Sequence, residues 1–319
     1  MIVDLPSTDT SAVNRKMVQL RESAGAVALG RVLTLVISTE DGPEAEQAIQ
    51  AANDASREHP CRVLVLARGL RRAATRLDAQ IRIGGDAGAS EVIVLRMYGP
   101  LADHGGSIIV PLLLPDAPIV TWWPGEPPLS PSEDPVGAVA GRRITDVSST
   151  KSPSKTLLKL GTNYHAGDTD LAWSRITGWR ALLTSALDEP PYDDVTRAEV
   201  DGVAESASAD LLAGWLSSRL GVPVTRRVVD VPGGHLGAVR LERPSGVVEL
   251  KRQDSKTARL TQPGQPVRRV ALPRRTARDC LAEELRRLDP DEIFHEALAA
   301  IPRAGAGKRA SSTKGKVKA

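Results

Sequence analysis

Aromatic side chains are scarce in this chain of 319 residues, which contains one Phe, three Tyr and five Trp. Long apolar stretches are missing too, because the longest, residues 108–114, is interrupted by Pro111. A membrane-spanning helix needs about 20 predominantly apolar residues, so the sequence predicts no membrane segment. The first residues also lack the charged-then-apolar pattern of a secretory signal. We therefore expect a soluble, cytoplasmic protein.

Cysteine is nearly absent as well, since only Cys61 and Cys280 occur, in opposite halves of the chain. Two cysteines so far apart exclude a disulfide framework and indicate a reducing compartment. Cys61 opens a predicted strand, and Cys280 lies on the apolar side of a predicted helix. Both are expected to be small core residues rather than reactive thiols.

Acidic residues are missing from the end of the chain. Residues 302–319 contain Arg and Lys but no Asp or Glu, whereas the whole chain has a formal net charge of +3. The body of the protein is therefore mildly acidic. The tail is rich in Gly, Ala, Ser and Lys and poor in apolar groups, so we predict that residues 302–319 are disordered.

The motifs of several enzyme classes do not occur. Residues 38–42, Ser-Thr-Glu-Asp-Gly, follow the first predicted strand, where a G-x-G-x-x-G dinucleotide loop would stand. There is no phosphate loop and no nucleophile elbow, and the His-Glu at residues 295–296 lacks the second His of a zinc-binding helix. The sequence therefore predicts a protein that is not an enzyme, with no catalytic residues, no metal site and no cofactor.

Hydrophobic patterning predicts an α/β protein of two domains. Residues 1–30 are predicted as an N-terminal helical segment. Residues 31–167 are predicted as an α/β domain, because a buried strand, a helix and a second buried strand form a βαβ unit typical of a mostly parallel sheet. Residues 168–301 are predicted as an α+β domain with an antiparallel sheet, since short strands alternate with turns. The boundary is placed near Gly167, at the end of the polar stretch 145–169.

Four of the five tryptophans fall in two clusters, and two arginines accompany the second cluster: Trp122, Trp123, Trp173, Arg175, Trp179 and Arg180. Trp and Arg are enriched at the hot centres of interfaces, so these six are candidate partner-binding residues. Trp is also a core residue, and the Trp122–Trp123 pair is equally consistent with a plug at a sheet edge. If residues 171–187 form one helix, Trp173 lies on its apolar face. Trp179 then lies toward Arg175 and is the better surface candidate.

Basic residues are concentrated between residues 240 and 278. The candidate basic face consists of Arg240, Arg243, Lys251, Arg252, Arg259, Arg268 and Arg269. On antiparallel strands such residues would line an exposed face that fits an acidic protein, a phosphorylated metabolite or nucleic acid. A plain solvated face is the alternative. Nucleic acid fits less well, because the segment lacks aromatic residues that stack on bases.

Three stretches carry a family resemblance: DLAWSRITGWR at residues 170–180, APIVTWWPGEPP at residues 117–128 and ELRRLDPDEIFHEAL at residues 284–298. The chain resembles the glucose-6-phosphate dehydrogenase assembly protein family, known as OpcA, over roughly residues 32–301. The resemblance implies a non-enzymatic partner of glucose-6-phosphate dehydrogenase. Such a partner promotes the assembly or active form of that enzyme, which stands at the head of the oxidative pentose phosphate pathway.

Three functions remain open at this point. The first is a scaffold that binds glucose-6-phosphate dehydrogenase through the Trp and Arg clusters. The second is a sensor or weak enzyme that binds a sugar phosphate through Arg175, Arg180 or the basic face. The third is a regulator that binds nucleic acid through the basic face and the tail.

Overall fold

The computed structural model describes residues 1–23, 33–83 and 91–301. The predicted tail at 302–319 and the end of the N-terminal segment lie outside the described residues. The strands are β1 (Ile2–Leu5), β2 (Leu33–Glu40), β3 (Cys61–Arg68), β4 (Arg76–Ile83), β5 (Glu91–Tyr98), β6 (Ile119–Trp123), β7 (Arg142–Thr145), β8 (Asp168–Asp170), β9 (Arg197–Gly202), β10 (Val224–Val228), β11 (Leu236–Arg243), β12 (Gly246–Arg252), β13 (Thr257–Thr261) and β14 (Arg268–Ala271). The helices are α1 (Thr10–Ser23), α2 (Pro43–Ala55), α3 (Gly105–Ile109), α4 (Pro153–Thr162), α5 (Leu171–Ser174), α6 (Thr177–Leu187), α7 (Ala207–Leu220), α8 (Ala277–Arg286) and α9 (Glu292–Ala300).

The protein has a mixed α/β fold with one mostly parallel and one mostly antiparallel sheet, which confirms the predicted fold class. No helix in the described ranges combines the length and the hydrophobicity needed to cross a bilayer. The polar stretch 145–169 is more ordered than its composition indicates, because it contains α4 and the start of β8.

Contacts divide the chain into two compact units, each assembled from separate stretches. The first unit comprises Met1–Lys151, Thr162–Ser174 and Arg275–Asp291; the second comprises Ser152–Gly161, Arg175–Arg274 and Glu292–Ala319. The predicted boundary near Gly167 assumes two consecutive pieces of chain, and it stays a prediction.

The first unit contains an eight-stranded sheet in the order β1-β4-β5-β3-β2-β6-β7-β8. The strands from β5 to β8 pair in parallel throughout, whereas β4 and β1 add antiparallel pairs at one edge. Numbered along the chain, the six parallel strands have the order 3-2-1-4-5-6. This is the strand order of doubly wound sheets that bind dinucleotides.

The predicted βαβ unit is present as β2, α2 and β3, with β2 and β3 paired in parallel. One stripe of α2 is buried, as its spacing predicts: Ala45, Ala48, Ile49, Ala52 and Ala55. Alternate residues of β2 and β3 enter separate apolar clusters on the two faces of the sheet. Helices α2 and α8 contribute to one cluster, and α1 contributes to the other. Both faces are thus covered, which explains why these strands are apolar throughout.

The second unit contains a six-stranded sheet in the order β10-β9-β11-β12-β13-β14. All neighbouring pairs are antiparallel except β10 and β9. Helix α7 packs on β9 and β10, and it also packs against α9. Residues on one face of the sheet alternate with polar ones and are buried: Ala198, Val200, Val239, Leu241, Val248, Leu250, Ala258 and Leu260.

Helices α7 and α9 approach closely at Gly214. A Cβ atom built on Gly214 would overlap the carbonyl oxygen of Ala297 and come within 3.2 Å of the Ile301 side chain. The obstacle includes backbone, which cannot rotate away as a flexible side chain can. Gly214 therefore permits the packing of these two helices.

We expect Gly214→Ala to lower the free energy of unfolding by about 1–3 kcal/mol, because the added methyl group forces the two helices apart. Urea denaturation followed by circular dichroism measures the change. Gly141→Ala is the control, since a Cβ at Gly141 meets nothing within 4 Å. Equal stability of Gly214→Ala and the wild type would contradict the close approach.

Candidate functional site

Ligands of open parallel sheets bind where the strand order reverses, beyond the carboxyl ends of the strands. In the first unit this switch point lies between β2 and β6, because the chain continues from β2 to β3 on one side and reaches β6 on the other. The loop after β2 begins at Asp41, and β6 ends at Trp123. These two loops are therefore the first place to look for a cofactor site.

The loop after β2 carries carboxylates. Helix α2 begins after Gly42, has no side-chain cap, and carries Glu44 and Glu46 in its first turn. Two hydrogen bonds from Arg82, of 2.8 and 3.0 Å, hold Glu46. These hydrogen bonds are the main cause that lowers the pKa of the Glu46 carboxyl below its usual value. Phosphate-binding helix N-termini present bare N–H groups to the anion, whereas carboxylates here repel it.

Arginines already occupied by carboxylates flank the same loop. Arg96 Nε lies 3.3 Å from Asp41 Oδ1, and Arg68 Nε lies 3.1 Å from Glu40 Oε1. These guanidinium groups neutralise the loop's own acids. The described arginines beside this loop are thus already paired with its carboxylates.

The end of β6 is filled by its own indoles. Trp122 and Trp123 are each 1 % exposed. Trp122 belongs to the apolar cluster around Val120 and Ile144, and a Cβ on Gly137 would come within 3.0 Å of the Trp123 ring. The hypothesis that these two residues form a contact surface is not supported by their exposure, since both lie in the interior.

A buried carboxylate closes the last parallel strand. The Oδ2 atom of Asp170 accepts hydrogen bonds from Thr145 Oγ1 at 2.6 Å and from the Val147 N–H at 3.0 Å. Its Oδ1 atom accepts the Ala172 N–H at 2.8 Å and so caps the short helix α5. Burial, followed by repulsion from Asp146, raises the pKa of Asp170 to about 7. Every one of these bonds fixes the chain where β8 turns into α5, which indicates a structural role.

A second buried polar network joins β7, α5 and α8. Arg142 and Glu284 are 3 % and 5 % exposed, and Arg142 Nη2 lies 2.6 Å from Glu284 Oε2. Ser174 Oγ donates to the other oxygen of Glu284. Arg275 Nη1 donates to the Ser174 carbonyl oxygen at 2.8 Å. Asp168 pairs with Arg143 next to this network.

Trp173 lies in the core of the first unit, as predicted, although the single helix over residues 171–187 on which that prediction rested does not form. It is 2 % exposed, and its indole N–H donates to Asp291 Oδ2 at 2.8 Å. The segment DLAWS therefore has a structural role in the first unit. Its three buried polar side chains, those of Asp170, Trp173 and Ser174, each hydrogen-bond to another stretch of the chain.

Trp179 is buried, so the prediction that it is the better surface candidate is wrong. Residues 171–187 do not form a single helix, since α5 ends at Ser174 and α6 begins at Thr177. The break changes the helical phase, and Trp179 is 2 % exposed in the second unit rather than at its surface. The guanidinium carbon of Arg252 lies 5.3 Å from the centroid of its ring.

Arg175 and Arg180 lie on either side of that helix start, and both are half-buried. Arg180 Nη2 donates to Thr177 Oγ1 at 3.0 Å, in the first turn of α6. Their role in binding a partner stays a prediction.

The predicted basic face divides between the two sides of the second sheet. Arg243 is buried and donates to the Pro191 carbonyl oxygen, and Arg252 stacks on Trp179. Arg268 pairs with Glu189 at 2.9 Å. The remaining members lie on the outer face, opposite the buried apolar residues: Arg240, Lys251, Arg259 and Arg269.

Acidic residues from β9 neutralise part of that outer face. Arg240 Nη1 lies 2.8 Å from Asp201 Oδ2, and Arg240 Nε lies 2.9 Å from Glu249 Oε1. Glu199 stands directly opposite Arg240 on the neighbouring strand. The sequence concealed Glu199 and Asp201 as partners, because β9 precedes the basic segment by a whole helix and a strand. The alternation of apolar and acidic residues along β9 would have indicated that Glu199 and Asp201 lie on the outer face.

Within the described ranges, no group of three or more His, Cys, Asp or Glu residues is placed to hold a metal ion. At the switch point, indoles fill the space at the end of β6 and the flanking arginines pair with carboxylates. On the outer face of the second sheet, charged side chains are exposed.

Comparison with known proteins finds two matching family models. They are described as the N-terminal and C-terminal domains of a glucose-6-phosphate dehydrogenase subunit, and they match residues 52–162 and 166–298. A curated relative from Synechocystis sp. strain PCC 6803, named as an OxPP cycle protein OpcA, is 31 % identical over 144 residues. The aligned region spans 41 % of this chain and only 29 % of that relative.

Two solved structures are similar over most of the chain. Glucose-6-phosphate 1-dehydrogenase from Mycobacterium avium has a TM-score of 0.39 at 10 % identity, covering 88 % of this chain and 94 % of its own. Biliverdin reductase from Synechocystis sp. PCC 6803 has a TM-score of 0.38 at 11 % identity, covering 85 % and 98 %. TM-scores this low carry no conclusion about the chain.

We expect Glu284→Ala to destabilise the protein by about 3–5 kcal/mol, because it leaves the Arg142 guanidinium buried without its carboxylate. Urea denaturation measures the loss. Glu283→Ala on the same helix is the control, since Glu283 is more exposed and its pair with Arg275 contributes about 1 kcal/mol or less. Similar losses in both variants would show that the buried pair contributes no more to the free energy of unfolding than the more exposed pair.

Trp179→Ala should also destabilise the protein, by about 3–5 kcal/mol, because it removes a fully buried indole. The measurement is the midpoint of chemical denaturation. Trp215→Ala provides a matched control in the same unit, and we expect a smaller loss because Trp215 is only partly buried. A Trp179→Ala variant as stable as the wild type would restore the surface assignment.

Proposed function

We propose that this chain, which belongs to the glucose-6-phosphate dehydrogenase assembly protein (OpcA) family, is a non-catalytic partner that binds that dehydrogenase and favours its active form. The family membership supports a role linked to the oxidative pentose phosphate pathway. Direct binding and activation are the steps that we add. We place the protein in the cytoplasm, where the buried thiols of Cys61 and Cys280, which form no disulfide, remain reduced.

One observation carries the non-catalytic part of the proposal. The first sheet has the strand order of a dinucleotide-binding domain, yet its switch point bears the carboxylates of Asp41, Glu44 and Glu46. A pyrophosphate placed there would meet the carboxylates of Glu44 and Glu46 in the first turn of α2. The fold alone would not decide the matter, because function depends on the groups at the site.

Activation by a binding protein has a strict thermodynamic requirement. The partner shifts the dehydrogenase toward its active state only if it binds that state more tightly than the inactive one. A tenfold preference corresponds to about 1.4 kcal/mol of differential binding. Activation should therefore saturate with the concentration of this chain and be matched by a complex of fixed composition.

We expect the purified chain alone to form no NADPH from glucose 6-phosphate and NADP⁺. Adding it to the dehydrogenase of the same organism should raise the rate of NADPH formation to a plateau, and the two proteins should elute together in size-exclusion chromatography. An equal concentration of an unrelated protein serves as control. NADPH formation by the chain alone, or the absence of both co-elution and activation, would refute the proposal.

The same preparation distinguishes the other two functions. A thermal shift with glucose 6-phosphate in the absence of the dehydrogenase would favour the sugar-phosphate sensor. Salt-sensitive binding to random duplex DNA, with no effect on the dehydrogenase, would favour the nucleic-acid regulator.

A further inference from the structure

Three cations stand side by side on the outer face of the second sheet. Lys251 on β12 is directly opposite Arg259 on β13, and Arg259 is directly opposite Arg269 on β14. Directly opposed residues project from the same face of a sheet. Lys251 is exposed, and the side chains of Arg259 and Arg269 are 46 % and 74 % exposed. We refer to Lys251, Arg259 and Arg269 as the cation row.

The neighbouring row on the same face is arranged differently. There Glu199, Arg240 and Glu249 stand opposite one another, so that each charge faces its complement. Like charges in direct opposition destabilise a sheet, whereas opposite charges stabilise it. The cation row therefore destabilises the sheet. The adjacent row shows that the same face can hold complementary charges in direct opposition.

The acids near the cation row compensate for it incompletely. Glu249 lies 3.4 Å from Arg259, but it also lies 2.9 Å from Arg240. Asp254 lies 3.4 Å from Arg269, and its carboxylate also accepts the Lys256 and Thr257 N–H groups at 2.7 and 2.8 Å. Arg259 and Arg269 thus each pair with a carboxylate that has a closer partner. At this end of the outer face, three cations stand beside two carboxylates.

We propose that the cation row is the docking site for an acidic, carboxylate-bearing patch on the surface of a partner protein. The inference rests on the proposed function, in which that partner is the dehydrogenase. Carboxylates of a partner placed between the three cations would relieve their mutual repulsion, so binding supplies the complement that the free protein lacks. Complementary charge of this kind acts mainly on the rate of association.

Nucleic acid is a poorer occupant of this surface. Strands β12, β13 and β14 contain no aromatic residue on which a base could stack. Glu249 and Asp254 also flank the cations and would repel a continuous run of phosphates. A protein surface can place its few carboxylates at the cations alone.

The test is the triple variant Lys251→Gln, Arg259→Gln, Arg269→Gln. It should be as stable as the wild type or more stable, because it removes three opposed like charges. Association with the dehydrogenase, measured by surface plasmon resonance, should slow about tenfold at low ionic strength and approach the wild-type rate at high salt. A gain in stability combined with a loss of binding is a result that a purely structural role would not produce.

The matched control is Arg15→Gln, Arg72→Gln, Arg278→Gln, which removes the same charge from exposed positions of the first unit. It should associate at nearly the wild-type rate. Equal slowing in both triple variants would reduce the effect to net charge and overturn the inference. An unchanged rate in the cation-row variant would also overturn it while leaving the proposed function intact.

Two further outcomes are decisive. If the wild type neither binds nor activates the dehydrogenase, the proposed function fails and the docking site fails with it. If the cation-row variant loses binding to random duplex DNA but keeps the wild-type association rate with the dehydrogenase, the occupant is nucleic acid and the inference is wrong.

Discussion

The first unit depends on the buried ion pair between Arg142 and Glu284. Removing two charges from water is costly, and the pair survives only because each partner has further hydrogen bonds: Arg142 to the Asp289 carbonyl oxygen and Glu284 to the Ser174 hydroxyl. Glu284 lies far along the chain from strand β7, yet the pair brings helix α8 onto the sheet. Leu281 and Leu285 of the same helix complete the apolar cluster there. The ion pair and this apolar packing together attach the stretch Arg275–Asp291 to the first unit.

The same pair shows what the sequence could and could not predict. The βαβ unit was predictable, because strands buried on both faces are apolar throughout and α2 repeats its small residues at helical spacing. Strands β7 and β8, in contrast, present Arg142, Arg143, Asp168 and Asp170 to the interior. Buried residues of this kind have the composition of a loop. Their partners come from other stretches, so no local pattern reveals that they are inside.

Tryptophan positions were predictable as clusters but not as surfaces. Trp173 lies in the core as predicted, but the single helix over residues 171–187 from which its phase was read does not form. The phase of Trp179 required an unbroken helix, and the break between Ser174 and Thr177 removed that premise. The basic face was predictable only in part for a related reason: the sequence counts charges along a segment, whereas a sheet neutralises them across strands. The role of that face in binding stays a prediction. Asp201 and Glu199 act on Arg240 from a strand that the segment does not include.

The two sheets differ in how completely their charged side chains are paired, and this difference is our main physical argument for a binding protein. At the carboxyl edge of the first sheet, the chain supplies its own carboxylates to its own arginines, and indoles fill the remaining space. Arg68 and Arg96, which flank the loop after β2, are thus already paired. On the outer face of the second sheet, three cations remain opposed to one another, and two of them pair with acids that have closer partners. The cation row thus combines cations in direct opposition with carboxylates that have closer partners. Because binding free energy comes from interactions that the free protein lacks, carboxylates of a second molecule would add favourable interactions at that face.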